Sequence, residues 1–326
     1  MNKILNPKLF DKDVEQLATR DGFGEGLLEA AEKNKNVVAL CADVTGSSRA
    51  QAFAQKFPDR FFEVGVAEQN LVTVASGLAA AGKIPFAISY AIFSPGRNWE
   101  QIRTTICYNN QPVKIIGSHG GLTVGADGAT HQALEDLALM RVLPNMVVIN
   151  PCDSWEAKKA TEAVIGLDKP CYIRLAREKS PVITTKETPF RIGQAEVFRD
   201  GTDATIIATG LMVYQALLAS EELQKSNISV RVINCHTVKP LDQKTILQAA
   251  EETGAMVTLE EHQIAGGLGS AVTELVCHHF PIPIKIIGIK DHFGESGKPD
   301  ELLKKFGLTV EEIVHGVTSV LRMKRR

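Results

Sequence analysis

Residues 37–90 read VVALCADVTGSSRAQAFAQKFPDRFFEVGVAEQNLVTVASGLAAAGKIPFAISY. Three short apolar runs, Val37–Cys41, Phe61–Val64 and Ile84–Ser89, alternate with two longer segments, Arg49–Phe57 and Ala67–Ala81. The runs are too short for helices and rich in β-branched or aromatic residues, so they read as buried strands. The longer segments read as helices. Strand–helix alternation predicts right-handed βαβ crossovers and a mostly parallel sheet.

The pattern extends in both directions. Upstream lies a helix at Gly22–Asn34. Downstream come strands at Val113–Ser118, Met146–Asn150 and Cys171–Leu175, with helices at Asn98–Tyr108, Gln132–Arg141 and Ser154–Ile165. Ala67–Ala81 is apolar almost all round and is expected to be buried. Glu178–Pro189, EKSPVITTKETP, has no helical period and reads as an interdomain connection. A second pattern follows. Its strands are Thr205–Thr209, Val230–Asn234, Met256–Glu260 and Ile284–Ile289, and its helices begin at Met212, Asp242, Leu268, Pro299 and Val310. The expected fold class is α/β, with two doubly wound domains at 1–180 and 193–326 joined by a linker at 181–192.

Composition closes off other classes. The chain is 44% hydrophobic and 23% charged, the balance of a soluble globular protein and not of a disordered or fibrous one. Lys plus Arg is 36 and Asp plus Glu is 38, so a dedicated nucleic-acid binder is not expected, the Lys324-Arg325-Arg326 tail notwithstanding. The longest uncharged run, Ala204–Ser220, falls short of a membrane span, and the N-terminus is charged too early for an export signal. The six cysteines form no C-x-x-C pair and read as buried thiols in a reducing, cytoplasmic setting.

In open parallel sheets, ligands gather at the carboxyl ends of strands, and four unusual clusters fall there. Glu68 opens the apolar helix. A helix start favours an anion, while burial raises a carboxyl pKa. It reads either as a solvated cap acid or as a buried proton-sharing group facing a heterocycle. The loop Gly117–Gln132 holds five glycines, His119, Asp127 and His131. Glycines admit close backbone approach, and His and Asp supply donors and acceptors for hydroxyls. His119-x₁₁-His131 is not a familiar metal spacing. Arg20, Ser47 and Arg177 suit a phosphate or carboxylate, though each alone also reads as a surface residue. Tyr90 and Phe93 read either as core or as flanks of a planar ring. In the second domain, Gly266-Gly267-Leu268-Gly269 opens a helix. It suits tight packing or a subunit contact better than an anion site. His236, His278 and His279 read as surface or core residues. His262 is placed near a subunit interface without a role.

The order and spacing of these clusters resemble the second half of thiamine-diphosphate enzymes of the transketolase family. Ala18-Thr19-Arg20 is similar to the family's Arg-bearing start, and Ala42–Ser47 resembles A-D-L-T-x-S. Gly65–Gln69 resembles G-[IV]-x-E-[HQ]. Val124–Gln132 resembles V-G-E-D-G-x-T-H-Q, with Leu143-Pro144-Asn145 after it as the family's L-P-N. The resemblance covers essentially the whole chain and implies a pyrimidine-binding domain followed by the transketolase C-terminal domain. It implies that Glu68 bonds the aminopyrimidine of thiamine diphosphate and promotes its imino tautomer. Tyr90 and Phe93 would line the pyrimidine pocket. His119 and His131 would bond substrate hydroxyls or a developing oxyanion, and Asp127 would read a hydroxyl. Arg20, Ser47 and Arg177, helped by His119, would hold a sugar phosphate.

Ala126 replaces the family's common Glu, and Gln69 replaces the His of single-chain transketolases. The Phe93–Arg103 segment fits the deoxyxylulose-phosphate synthases with one residue inserted around Arg97. The family's G-D-G…N-N motif, which binds diphosphate and metal, is absent. The resemblance therefore implies one subunit of a split transketolase. Its N-terminal partner would carry the diphosphate and Mg²⁺ (or Ca²⁺) in an α2β2 assembly of the pentose phosphate pathway, inactive without that partner. The alternatives are a specialised-sugar transketolase, a deoxyxylulose-phosphate-synthase-like enzyme, a 2-oxo acid dehydrogenase beta subunit, or a non-catalytic assembly subunit that kept the fold.

Overall fold

The computed structural model describes residues 4–324. Arg325 and Arg326 of the basic tail, and Met1–Lys3 of the N-terminus, lie outside the described residues. The elements of the first half are β1 (Gln16–Ala18), α1 (Thr19–Lys33), β2 (Val37–Cys41), α2 (Gln51–Lys56), β3 (Phe61–Glu63), α3 (Glu68–Ala80), β4 (Ile84–Tyr90), α4 (Trp99–Gln101), β5 (Lys114–Ser118), α5 (Asp136–Arg141), β6 (Val147–Ile149), α6 (Ser154–Ala163), β7 (Cys171–Arg174) and β8 (Lys179–Pro181). Those of the second half are β9 (Glu196–Arg199), β10 (Ala204–Ala208), α7 (Met212–Lys225), β11 (Val230–Asn234), β12 (Thr237–Lys239), α8 (Gln243–Thr253), β13 (Met256–Gln263), α9 (Leu268–His279), β14 (Ile284–Ile289), α10 (Pro299–Lys305) and α11 (Val310–Lys324).

The first sheet has seven strands in the order β12-β6-β7-β5-β4-β2-β3 and is parallel except at β12. Its central strands are buried on both faces, which is why they read as unbroken apolar runs. Alternate residues feed two cores. Val38 and Leu40 pack with Leu71, Val72 and Leu137, whereas Val37 and Ala39 pack with Phe23, Phe53 and Ala157 on the opposite face. The second sheet, β14-β13-β10-β11-β9, is parallel except at its edge strand β9.

Several expectations are corrected. The helix expected at Gln132–Arg141 begins only at Asp136, because Gln132 is spent on hydrogen bonds that hold the preceding loop. Asn98–Tyr108 is a short α-turn running into a π-helix, Ile102–Cys107. Ala67–Ala81 is not buried all round. Leu71, Val72, Ala75 and Ala79 face the core, while Gln69, Asn70, Val74, Gly77 and Ala80 are exposed, because the sheet covers only one side of this helix in a single chain. Cys277 is exposed, unlike the other five thiols. Apart from these corrections, His262 is fully buried within the chain and accepts the Ala138 N–H at 3.3 Å. The connecting Glu178–Pro189 segment carries no helix, as its sequence suggests, and it is tied down: β8 pairs antiparallel with β1, and Asp153 accepts the Ile183 N–H at 2.7 Å. The sheet edge at β6 is completed by β12, which arrives from well past that segment. No helix among the described residues is long and apolar enough to cross a membrane.

Candidate active site

The carboxyl ends of β2, β4, β5 and β7 point to one rim of the first sheet, and the candidate residues stand there. β4 delivers Tyr90, and the turn after it delivers Phe93 and Arg97. β5 runs straight into His119, which takes a positive φ of 62° beside Gly120. α1 carries Arg20 in its first turn, and the loop after β2 carries Ser47.

Six of the expected residues form one connected web. Arg20 Nη1 donates to the Ser47 carbonyl at 2.8 Å and approaches His119 Nε2 at 3.4 Å. Tyr90 donates its hydroxyl to Ser47 Oγ at 2.9 Å, and its ring lies 4.1 Å from that of His119. Phe93 stacks on Tyr90 and meets His131 edge-on at 5.4 Å. Arg177 and Asp127 pair with each other at 3.2 Å at the margin of the web.

His119 is 3% exposed, and burial, reinforced by the positive charge of Arg20 and Arg177, pushes its pKa down to about 3. The ring is therefore neutral at pH 7. Arginine only donates, so Nε2 is an acceptor, and Nδ1–H donates to Ser118 Oγ at 2.8 Å. Burial also lowers the pKa of Arg20, helped by the neighbouring Arg49.

Glu68 is 3% exposed at the start of α3. Its Oε1 accepts from Ser89 at 3.2 Å and its Oε2 from Arg97 at 2.9 Å. Asn98 Nδ2 donates to the Glu68 backbone carbonyl at 2.9 Å, and the Asn98 Oδ1 is buried without a partner among the described residues. The Arg97 guanidinium lies 4.0 Å over the Phe93 ring, which links Glu68 to the web. A cleft of about 710 Å³ opens here, lined by Val66, Ala67, Glu68, Gln69, Asn70 and Arg97. Ser89 and Asn98 did not stand out in the sequence, and nothing in the order Ser94-Pro95-Gly96-Arg97 signals that Arg97 folds back over Phe93.

Beneath the web lies a buried ion pair, Arg174–Asp136, at 3.2 Å, and Tyr172 donates to the same carboxylate at 2.7 Å. The glycine-rich start of α9 is occupied from within, since Glu260 accepts both the Leu268 and Gly269 N–H groups at 2.7 Å.

Comparison with known proteins agrees with this architecture. Residues 15–182 match the family described as transketolase, pyrimidine binding domain, and residues 193–313 match transketolase, C-terminal domain. The 6-deoxy-6-sulfo-D-fructose transketolase subunit of Clostridium sp. (strain MSTE9) is 42% identical over 97% of this chain and 98% of its own. An apulose-4-phosphate transketolase subunit of Phocaeicola vulgatus is 39% identical over 91% and 95%. A split-gene transketolase, solved as an inactive beta4 tetramer, superposes with a TM-score of 0.89 at 44% identity, covering 95% of this chain and 100% of the other.

Proposed function

We propose that this chain, which belongs to the transketolase family, is the C-terminal subunit of a two-chain transketolase that moves a two-carbon ketol unit between anion-tailed sugars. Thiamine diphosphate, on which the family depends, would bind between this subunit and an N-terminal partner in an α2β2 assembly. The observation that carries the proposal is the buried Glu68 carboxylate joined through Arg97 and Phe93 to the His119–His131 web.

The residues fit the pyrimidine half of the cofactor. A buried carboxylate, an aromatic wall and the unpartnered Asn98 Oδ1 match a flat ring bearing an amino group and ring nitrogens. Mg²⁺ (or Ca²⁺) would be held with the diphosphate by the partner. Bound thiamine diphosphate supplies the carbanion chemistry that breaks and remakes the sugar's C–C bond. Glu68 would hydrogen-bond a ring nitrogen of the aminopyrimidine through Oε2, a role that requires Arg97 to turn away. Tyr90 and Phe93 wall the ring. His119, neutral, accepts a sugar hydroxyl at Nε2. His131 and Asp127 orient the hydroxyls beside the carbonyl. Arg20, Ser47 and Arg177 hold the terminal anion.

That anion is a phosphate or a sulfonate, since one relative is named for a sulfo-sugar and another for a sugar phosphate. The free state of all six cysteines supports a reducing, cytoplasmic setting. The division into 1–180, 181–192 and 193–326 is retained, supported by the spacing of the two matched regions.

The test is reconstitution. This chain, a diphosphate-binding partner, thiamine diphosphate and Mg²⁺ are mixed with xylulose 5-phosphate or 6-deoxy-6-sulfofructose and an aldose phosphate. Ketol transfer is expected only in the complete mixture and not with Glu68→Ala. Assembly and cofactor binding without transfer to any acceptor would overturn the reading.

A further inference from the structure

β13 of the second domain ends on Glu260-Glu261-His262-Gln263 directly beneath the glycine-rich loop of the first. Alternation along the strand sends the two carboxylates in opposite directions. Glu260 serves its own domain by capping α9. Glu261 reaches into the other: its Oε1 accepts the Thr123 N–H at 2.6 Å, and its backbone carbonyl accepts from Arg174 Nη2 at 2.9 Å. Gly121, at φ 90°, leaves it room, since a Cβ there would fall 2.4 Å from the Glu261 carboxyl carbon.

A second grip lies at the far end of the loop. Gln132 Nε2 donates to the Glu295 carbonyl at 2.9 Å, and a Cβ on Gly294 would fall 1.8 Å from the Gln132 side-chain oxygen. The two grips bracket Asp127 and His131. Neither touches Glu68, Tyr90 or Phe93.

We propose that Glu261 is a positioning residue for sugar recognition: through the Thr123 amide it fixes the segment between His119 and His131, so the C-terminal domain sets where the hydroxyl-reading side chains stand. What the loop reads rests on the function proposed above; the grip itself does not. A group displaced by about 1 Å loses most of its orienting effect, so the consequence falls on sugar binding and not on the cofactor.

Two variants separate positioning from mere charge compensation of the buried Arg174. Glu261→Gln keeps an acceptor at full reach but loses the charge. Glu261→Asp keeps the charge but withdraws the oxygen by one methylene. Both are made in the full chain and assembled with the partner subunit. Donor KM, thiamine diphosphate affinity by calorimetry, and hydrogen exchange of the 120–132 amides are then measured. Glu261→Asp is expected to raise donor KM about tenfold and speed loop exchange about tenfold, with cofactor affinity within about twofold. Glu261→Gln is expected to stay near the parent in all three. The reverse pattern, no effect of either variant, uniform exchange across the chain, or a Glu261→Asp chain that fails to fold would each overturn the proposal. Exchange needs no turnover. A parent without ketol transfer but with the exchange pattern would therefore sink the function and leave the grip standing, and transfer with an unaltered loop would do the opposite.

Discussion

Arg97 and Glu68 form an ion pair of unequal burial: the carboxylate is 3% exposed and the guanidinium 48%. Removing either partner therefore has different consequences. Arg97→Ala strands a charge in the interior, for a loss of about 1–2 kcal/mol after allowing for the solvent already reaching Arg97. Glu68→Gln leaves an arginine that can turn into water, for a loss under about 1 kcal/mol. Urea unfolding of the isolated chain checks the order, and equal losses would contradict it.

Gly22 and the α1–α6 contact give a second expectation. A Cβ at Gly22 would lie 1.8 Å from the Ser154 carbonyl oxygen, so Gly22→Ala forces two helix backbones apart. The expected loss is about 3 kcal/mol, seen as a lowered thermal midpoint. A midpoint within a degree of the parent would mean that the helices slide freely.

The pH dependence has a definite sign. Burial pushes His236 down to about 3, as it does His119. A histidine depressed on folding is protonated first in the unfolded chain. Its contribution is intact above about pH 6.5 and is lost as pH falls toward 3. Glu156, pushed up to about 7 by burial and the nearby Asp153, acts oppositely. Its contribution is present below about pH 4.5 and is lost as pH rises through 7. His236→Asn removes one proton from this balance. The signed slope of its unfolding free energy against pH should lie below the parent's by up to about 1.4 kcal/mol per unit between pH 6 and 5. Parallel curves would refute the assignment.

Among the described residues Arg20 donates to neutral acceptors only, whereas Arg177 already shares its charge with Asp127 and Glu178. In the reconstituted enzyme, Arg20→Met should raise KM for an anion-tailed ketose about 30-fold and Arg177→Met about tenfold, with kcat little altered. A ketose lacking the terminal anion should not distinguish either variant from the parent. If it does, these arginines act elsewhere.

The alternation of β2 to β7 with their helices was legible because parallel strands buried on both faces leave an unmistakable apolar run. Glu68 was legible as an anomaly at the head of an apolar helix, and His119 and His131 as histidines among glycines. The edge strands β9 and β12 were not legible. They are short, and only their tertiary neighbours make them strands. The late start of α5 was hidden because Gln132 serves the loop, not the helix. The Arg97–Glu68 pair joins residues 29 apart in sequence and depends on how the turn after Phe93 folds back. The grip of Glu261 on Thr123 spans 138 positions and has no local signature at all.

β12 closes the open edge of β6 only after the chain has run on past the second domain's first helix. A ribosome adds roughly 5–20 residues each second. For several seconds of synthesis, the nascent first sheet therefore presents the unpaired rim Val147-Val148-Ile149 to its surroundings. The newly made chain is most open to chaperone capture, or to pairing with a neighbouring copy, in the interval before Thr237-Val238-Lys239 emerges and docks.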